Sequence, residues 1–259
     1  VFVQLLGGDP EPVGQTARTA ALLGALGVDL NFGCPAKTVN NHDGGATLLK
    51  YPRRIEAIVG RARALVPAHV PVTMKMRVGW SSCEGIEDVA RAAEAGGAAW
   101  ITVHARTRAQ LYQPPVVWDA LARARAAVKV AVVANGDLRG IDDLPACAGQ
   151  SQCEAFMIGR GAMARPELFA QIRGHVQERM SRPALAELLI RYQAMLLASG
   201  VSEGRALARV KQWLRMAADM DAAMTPLFDA LKVLPAWEPF VLALRAAAEL
   251  SASPSGSRD

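Results

Sequence analysis

Apolar positions along the chain follow two rhythms. Short, largely β-branched runs lie at residues 1–6, 28–32, 72–78, 100–105, 128–134 and 155–158, each ending in glycine, asparagine or a polar cluster. Between them, at 13–26, 53–65, 85–95, 118–127 and 141–147, stand Ala- and Leu-rich segments of helical character. Nearly continuous apolar runs predict strands covered on both faces, and their alternation with helices predicts a parallel sheet. An open doubly wound sheet and a closed barrel both satisfy that alternation. Two features favour the barrel. No Gly-x-Gly-x-x-Gly turn follows the first run, as a dinucleotide-binding sheet would show. Polar residues close nearly every run at its C-terminal end, where the loops of a barrel converge on one site. Six units are present where a barrel needs eight, and the chain opens on Val1 directly into a strand. The expectation is an α/β chain of the TIM (β/α)8 barrel class that lacks its first two βα units.

The rhythm changes near Pro183. Strand runs stop, and helical runs follow at 183–199, 204–220, 221–233 and 239–250. This predicts a barrel domain over 1–180, a small all-helical domain over 183–250, and a Ser-, Gly- and Pro-containing tail over 251–259 without structure.

Composition narrows the class. A chain of 259 residues, 51% hydrophobic, can bury a sizeable core. No apolar run approaches the roughly 18–20 residues of a membrane span, and no basic-then-apolar leader opens the chain. Cys34, Cys83, Cys147 and Cys153 are scattered without zinc spacing. They read as thiols of a reducing cytoplasm, with no metal site. The net charge of +5 is a mild pull towards a polyanion such as nucleic acid, and equally a charge that Arg-rich proteins carry without one.

The strand ends hold the candidate chemistry. In Asp29-Leu-Asn-Phe-Gly-Cys-Pro-Ala-Lys37 a strand closes at Asn31, Gly33 permits a turn, and Cys34 comes to the barrel mouth. There it could donate a proton or attack an electrophile, or simply pack as a small hydrophobe. The Gly-rich stretch 40–49 reads either as a lid or as an ordinary surface loop. Lys75 and Arg77, two apart on one strand, share a face, which in a barrel is the interior; buried cations there need anionic partners. His104 closes the next strand, as a ligand contact or a structural histidine. Asn135-Gly-Asp137 and Gly159-Arg-Gly161 close the last two, where barrels bind a ligand phosphate. In the segment 204–220, Leu207, Val210 and Leu214 form a stripe, and Arg205, Arg209, Lys211 and Arg215 are assigned to the opposite arc. That arc could track phosphates or merely face solvent.

Taken together, these segments resemble the tRNA-dihydrouridine synthases. The resemblance rests on Val3-Gln-Leu-Leu-Gly7, Val28-Asp-Leu-Asn-Phe-Gly-Cys-Pro35, Lys37-Thr-Val-Asn40, Gly44-Gly-Ala-Thr-Leu-Leu-Lys50 and Lys75-Met-Arg77. It continues through His104-Ala-Arg-Thr107, Ala134-Asn-Gly-Asp137, Met157-Ile-Gly-Arg-Gly161 and Arg209-Val-Lys-Gln-Trp-Leu214. The Lys-Thr-Val-Asn and Arg-x-Lys-Gln-Trp-Leu pieces are most similar to the bacterial subfamily C, which acts on uridine 16 of the D-loop. The resemblance implies an FMN-holding barrel followed by a helical tRNA-binding domain. It implies that NADPH reduces the FMN, hydride passes to C6 of the uracil, and Cys34 protonates C5. By position, Gln4, Lys75, His104, Asn135, Gly136, Asp137, Gly159 and Arg160 would contact FMN. Asn31 and Arg77 would lie near the uridine, and Arg209 would contact tRNA. The expected partner is tRNA, with no membrane, and the expected state is a monomer. The family's Ala-Pro-Met-like loop on the flavin has no counterpart here, and Ser81-Ser-Cys-Glu-Gly85 departs from the subfamily pattern. Two other readings stay open: a truncated, inactive tRNA-binding remnant, and a flavin-dependent dehydrogenase of a free pyrimidine.

Overall fold

The computed structural model describes residues 1–250, so the tail expected over 251–259 lies outside the described residues. The chain divides into two compact units. The first comprises residues 1–138 and 142–157, and the second comprises 139–141 and the chain from Ile158 onward.

In the first unit strands and helices alternate. The order is β1 (Phe2–Leu5), α1 (Pro10–Leu22), β2 (Gly27–Phe32), a short α2 (Lys37–Asn41), a 3-10 helix (Gly45–Lys50), α3 (Pro52–Leu65), β3 (Val72–Arg77) and α4 (Ile86–Ala95). Then come β4 (Trp100–His104), α5 (Trp118–Ala127), β5 (Ala131–Asn135), α6 (Asp143–Ser151) and β6 (Ala155–Met157). The six strands form one parallel sheet in sequence order. Each pairs with the next, as βα units impose.

The strands are two-faced rather than apolar throughout. Val28, Leu30, Phe32, Met74, Met76, Ile101 and Val103 are buried, and α1, α3, α4 and α5 pack on the sheet and side by side. The alternate positions are polar: Gln4, Asp29, Asn31, Thr73, Lys75, Arg77, Thr102, His104 and Asn135. Register lines these up in rows. Gln4 lies beside Asp29 and Thr73, and Asn31 beside Lys75 and Thr102. Arg77 lies beside His104, Asn135 and Met157. A period of two on neighbouring strands thus gathers these polar side chains on one surface of the sheet.

Helix starts follow their caps. The Asp9 carboxylate accepts from the Glu11 N–H at 3.0 Å, with Pro10 at the first helical position, where its missing donor costs nothing. The segment 40–49 is not an open loop. It is wound into α2 and the 3-10 helix and clamped by Asn40, which is buried.

The second unit is helical: α7 (Arg160–Ala164), α8 (Leu168–Ile172), α9 (Arg182–Ala198), α10 (Glu203–Met220), a 3-10 turn (Ala222–Met224), α11 (Thr225–Lys232) and α12 (Trp237–Leu250). Leu189, Val210, Leu214, Leu231, Phe240 and Leu244 form its core. The stripe Leu207, Val210, Leu214 faces inward as expected, and Arg205, Arg209 and Arg215 are exposed. Lys211 belongs elsewhere. At 100° per residue it stands closer to the apolar stripe than to Arg205, and its ammonium donates to the Lys232 and Leu234 carbonyls at the end of α11. That satisfies helix C-terminal acceptors with a cation of the favoured sign. No helix among the described residues is long and apolar enough to cross a membrane.

Candidate active site at the C-terminal ends of the strands

The turn that carries Cys34 is held from three directions. Asn31 at the end of β2 accepts from the Gly33 N–H at 2.9 Å. The Arg77 Nε donates to the Gly33 carbonyl at 2.9 Å. Asn40 Nδ2 donates to the Cys34 carbonyl at 3.1 Å and to the Ala36 carbonyl at 2.7 Å, while its Oδ1 accepts from the Thr47 N–H at 2.8 Å. The Ala46 N–H donates to the Cys34 carbonyl as well, at 3.1 Å. Gly45 completes the fit. Its φ of 59° is left-handed, and a Cβ there would come within 2.8 Å of the Cys34 carbonyl oxygen. The Gly-Gly-Ala-Thr stretch is therefore the seat of the cysteine.

Cys34 stays partly exposed. Cys147 and Cys153 are buried, and burial pushes the Cys147 thiol up to about 11 and raises that of Cys153. Cys83 is raised by desolvation too. Thiolate chemistry is suppressed at those three positions.

Arg77 ties together two loops. Besides Gly33, it donates from one terminal nitrogen to the Thr107 and Leu111 carbonyls at 3.0 and 2.7 Å, and it lies 5.5 Å from the Tyr112 ring centre. A buried guanidinium bonded to neutral carbonyls retains net positive charge, which the fold sets beside the cysteine turn.

Deeper in the same face, Asn135 organises the row. Its Nδ2 donates to the Met157 carbonyl at 2.8 Å, which fixes the amide orientation. Its Oδ1 therefore accepts from Lys75 Nζ at 3.2 Å and from His104 Nδ1 at 2.8 Å. Burial pushes the Lys75 ammonium down to about 8, with the charge of Arg77 acting in the same direction. Burial likewise brings His104 down to about 4, so its ring is neutral at pH 7. With Nδ1 protonated, Nε2 presents a lone pair, and that atom is buried without a partner. The row thus offers a cation and an unfilled acceptor side by side. This donor set suits a planar heterocycle that bears negative charge at one point and an N–H at another. A flavin ring offers both.

Gln4 joins the row through its neighbours. It donates to Asp29 Oδ2 at 2.7 Å and accepts from Asn31 Nδ2 at 2.9 Å, while Thr73 donates to Asp29 Oδ1 at 2.7 Å. Asp137 has φ 49° and receives a bidentate pair from Arg106 at 2.9 and 2.6 Å. Arg106 is 1% exposed and also donates to the Gln113 carbonyl at 2.8 Å. Gly136 has φ 127°, and its carbonyl accepts from the Trp118 indole at 3.0 Å.

The first unit therefore brings together Gln4, Asn31, Cys34, Lys75, Arg77, His104, Asn135, Gly136 and Asp137 on neighbouring strand ends. Gly159 and Arg160, at the start of α7, and Arg209, on α10, belong to the second unit. Three residues that sequence reasoning passed over take part. Asp29 was hidden inside the Asp-Leu-Asn strand, where only alternation with Asn31 marked it as facing the site. Arg106 sits 31 residues from its partner Asp137. Asn40 gave no sign that it was a clamp beyond its place in a polar loop.

The dihydrouridine synthase family model matches residues 1–223. The chain belongs to the dihydrouridine synthase family. It is 44% identical over 243 residues to the tRNA-dihydrouridine(16) synthase of Cupriavidus necator, covering 90% of this chain and 75% of that one. It is 45% identical to the enzyme of the same name from Pseudomonas putida, covering 83% of this chain and 67% of that one. Membership makes the chain an oxidoreductase. It also agrees with the fold class expected from the sequence, parallel βα units of the TIM-barrel type followed by helices. Among solved structures, a 2-naphthoyl-CoA reductase superposes with a TM-score of 0.50 at 13% identity, covering 63% of this chain and 29% of that one, a likeness of fold alone.

Proposed function

We propose that this chain reduces a uridine of tRNA to 5,6-dihydrouridine, at position 16, with FMN as its flavin and NADPH as the electron source. The observation that carries the reading is the pairing of Cys34, held at the strand ends, with the half-buried Lys75–His104–Asn135 row. The names of the relatives supply the substrate.

Lys75, His104, Asn135 and Gln4 would hold the flavin ring, with Gly136 and Asp137 in the adjoining turn and Gly159 and Arg160 on its phosphate. When bound, FMN supplies the hydride that C6 of the uracil accepts, and NADPH restores it. Lys75 has no carboxylate within ion-pair distance among the described residues, so its charge is available to an anionic ring. The other half of the reduction falls to Cys34. Its S–H bond breaks as a C–H bond forms at C5, and the resulting thiolate is reprotonated from solvent. Asn31, Arg77 and Asn40 hold the turn so that the thiol stays in one place, and proton transfer demands such placement. Arg77 sets a positive charge beside that turn. The target base must leave its stack to reach the site. Arg209, exposed on α10, would contact the tRNA backbone.

The test is to incubate the full chain with FMN, NADPH and an unmodified tRNA transcript, and to measure dihydrouridine by mass spectrometry. Dihydrouridine should appear, and Cys34→Ala should lose nearly all of it while still binding FMN. Full activity in Cys34→Ala would remove the cysteine from the mechanism. A wild-type chain that binds flavin but leaves the tRNA unchanged would remove the substrate.

A further inference from the structure

A second feature of the strand-end surface has no part in the flavin row. Three segments meet on Trp80. Lys50, the last residue of the 3-10 helix that begins beside Cys34, places its Nζ 3.7 Å from the centre of the indole ring. Arg108, in the loop after β4, places its guanidinium carbon 4.7 Å from the same centre. The two loops are tied by backbone bonds: the Arg108 N–H donates to the Gly79 carbonyl at 2.9 Å and the Ala109 N–H to the Trp80 carbonyl at 2.8 Å. One indole therefore carries two cations, both on loops from the strand ends where Cys34 and Arg77 lie.

Neither cation has its charge matched. Among the described residues no carboxylate lies within ion-pair distance of Lys50 or Arg108. Glu84, the nearest acid along the Trp80 loop, is not paired with either. Arg108 Nε is buried with no acceptor at all. Other arginines of this unit do find carboxylates: Arg61 with Glu11, Arg123 with Glu87, Arg54 with Asp43. Two like charges drawn to one ring repel each other, and the indole's negative face offsets that only in part. An anion that accepts from the Lys50 ammonium and the Arg108 guanidinium would resolve the arrangement.

We propose that Lys50, Trp80 and Arg108 form a phosphate-binding clamp for the RNA backbone on the rim of the Cys34 site. The ligand class is a phosphodiester of the strand that carries the target nucleotide. The inference rests on the tRNA reading above and adds a place where the strand is gripped. Holding a neighbouring phosphate on a rigid platform would fix the strand while the base is turned inward.

The experiment measures binding of an unmodified tRNA transcript to the full chain over a series of salt concentrations. Wild type is compared with Lys50→Gln, Arg108→Gln, the double variant and Lys50→Arg. Each neutralised cation should weaken binding and lower the slope of log affinity against log salt by about 0.7–0.9. The double variant should lose both increments, and Lys50→Arg should keep the wild-type slope. Lys50 is exposed, so Lys50→Gln reads the clamp even if Arg108→Gln fails to fold. A double variant with the wild-type slope, or a folded Lys50→Gln with no change, would overturn the clamp while leaving the tRNA reading intact. A wild-type chain with no salt-dependent tRNA binding would bring down both together.

Discussion

Replacing Asp137 by asparagine tests the least forgiving polar contact in the first unit. Arg106 is 1% exposed and makes three bonds, two of them to the Asp137 carboxylate at 2.9 and 2.6 Å. Asparagine keeps the shape and tolerates the left-handed φ of 49° at this position, so backbone strain is not the variable. What changes is charge. The guanidinium would be left in the interior with the Gln113 carbonyl and one amide oxygen. Breaking a buried ion pair from one side costs about 3–5 kcal/mol, and the retained amide acceptor puts this case near the lower end. For a unit of this size about 3 kcal/mol is a fall in melting temperature of about 6–12 °C. Urea unfolding and a thermal scan both read it. The companion variant Arg106→Met/Asp137→Asn removes the stranded cation and should recover most of the loss. An Asp137→Asn protein within about 0.5 kcal/mol of wild type, the range of ordinary surface changes, would refute the reasoning, because the guanidinium would then have found water.

Asn40→Ala should cost about 2–3 kcal/mol, since it strands the Thr47 N–H and frees the Cys34 turn; hydrogen exchange of the 34–47 amides checks it. His104 carries a stability term with a definite sign. Its pKa falls from 6.5 in the unfolded chain to about 4 in the fold, so the term is complete above pH 6.5 and lost as pH drops through 4. The loss is about 3 kcal/mol. Urea midpoints of wild type and His104→Gln should converge over that window, and parallel curves would exclude it. FMN affinity should fall as pH rises through about 8, where Lys75 loses its charge, and Lys75→Met should bind weakly at every pH; a titration by flavin fluorescence decides.

The strands and long helices could be read from the sequence because their signals are local. β-branched runs ending in polar residues located all six strands, with ends that differ by at most three residues. Helix α1 begins at Pro10, three residues before its apolar spacing starts, because Asp9 and Pro10 act as a cap rather than a break. The short helices α2, α7 and α8 span too few turns to show any periodicity. The polar row was half visible. Lys75 and Arg77 gave away their shared face, and Asn135 closed its strand as expected. Pairings across the sheet carry no local signal, so Arg106 with Asp137, and Lys211 with the end of α11, were invisible to spacing alone.

The strict order of the sheet has a consequence for synthesis. Each strand docks on the one made just before it, so the sheet can grow at one edge as the chain leaves the ribosome. The site does not mature at the same pace. Asn135 is turned by the carbonyl of Met157, on the last strand to arrive. Before β6 is in place the Asn135 Nδ2 lacks the Met157 carbonyl, and only the Lys75 ammonium, which donates and cannot accept, selects the amide oxygen. The three-residue strand β6 therefore completes the site rather than the core: a nascent sheet can bury its core early, but Asn135 has both ends of its amide bonded only when β6 is in place.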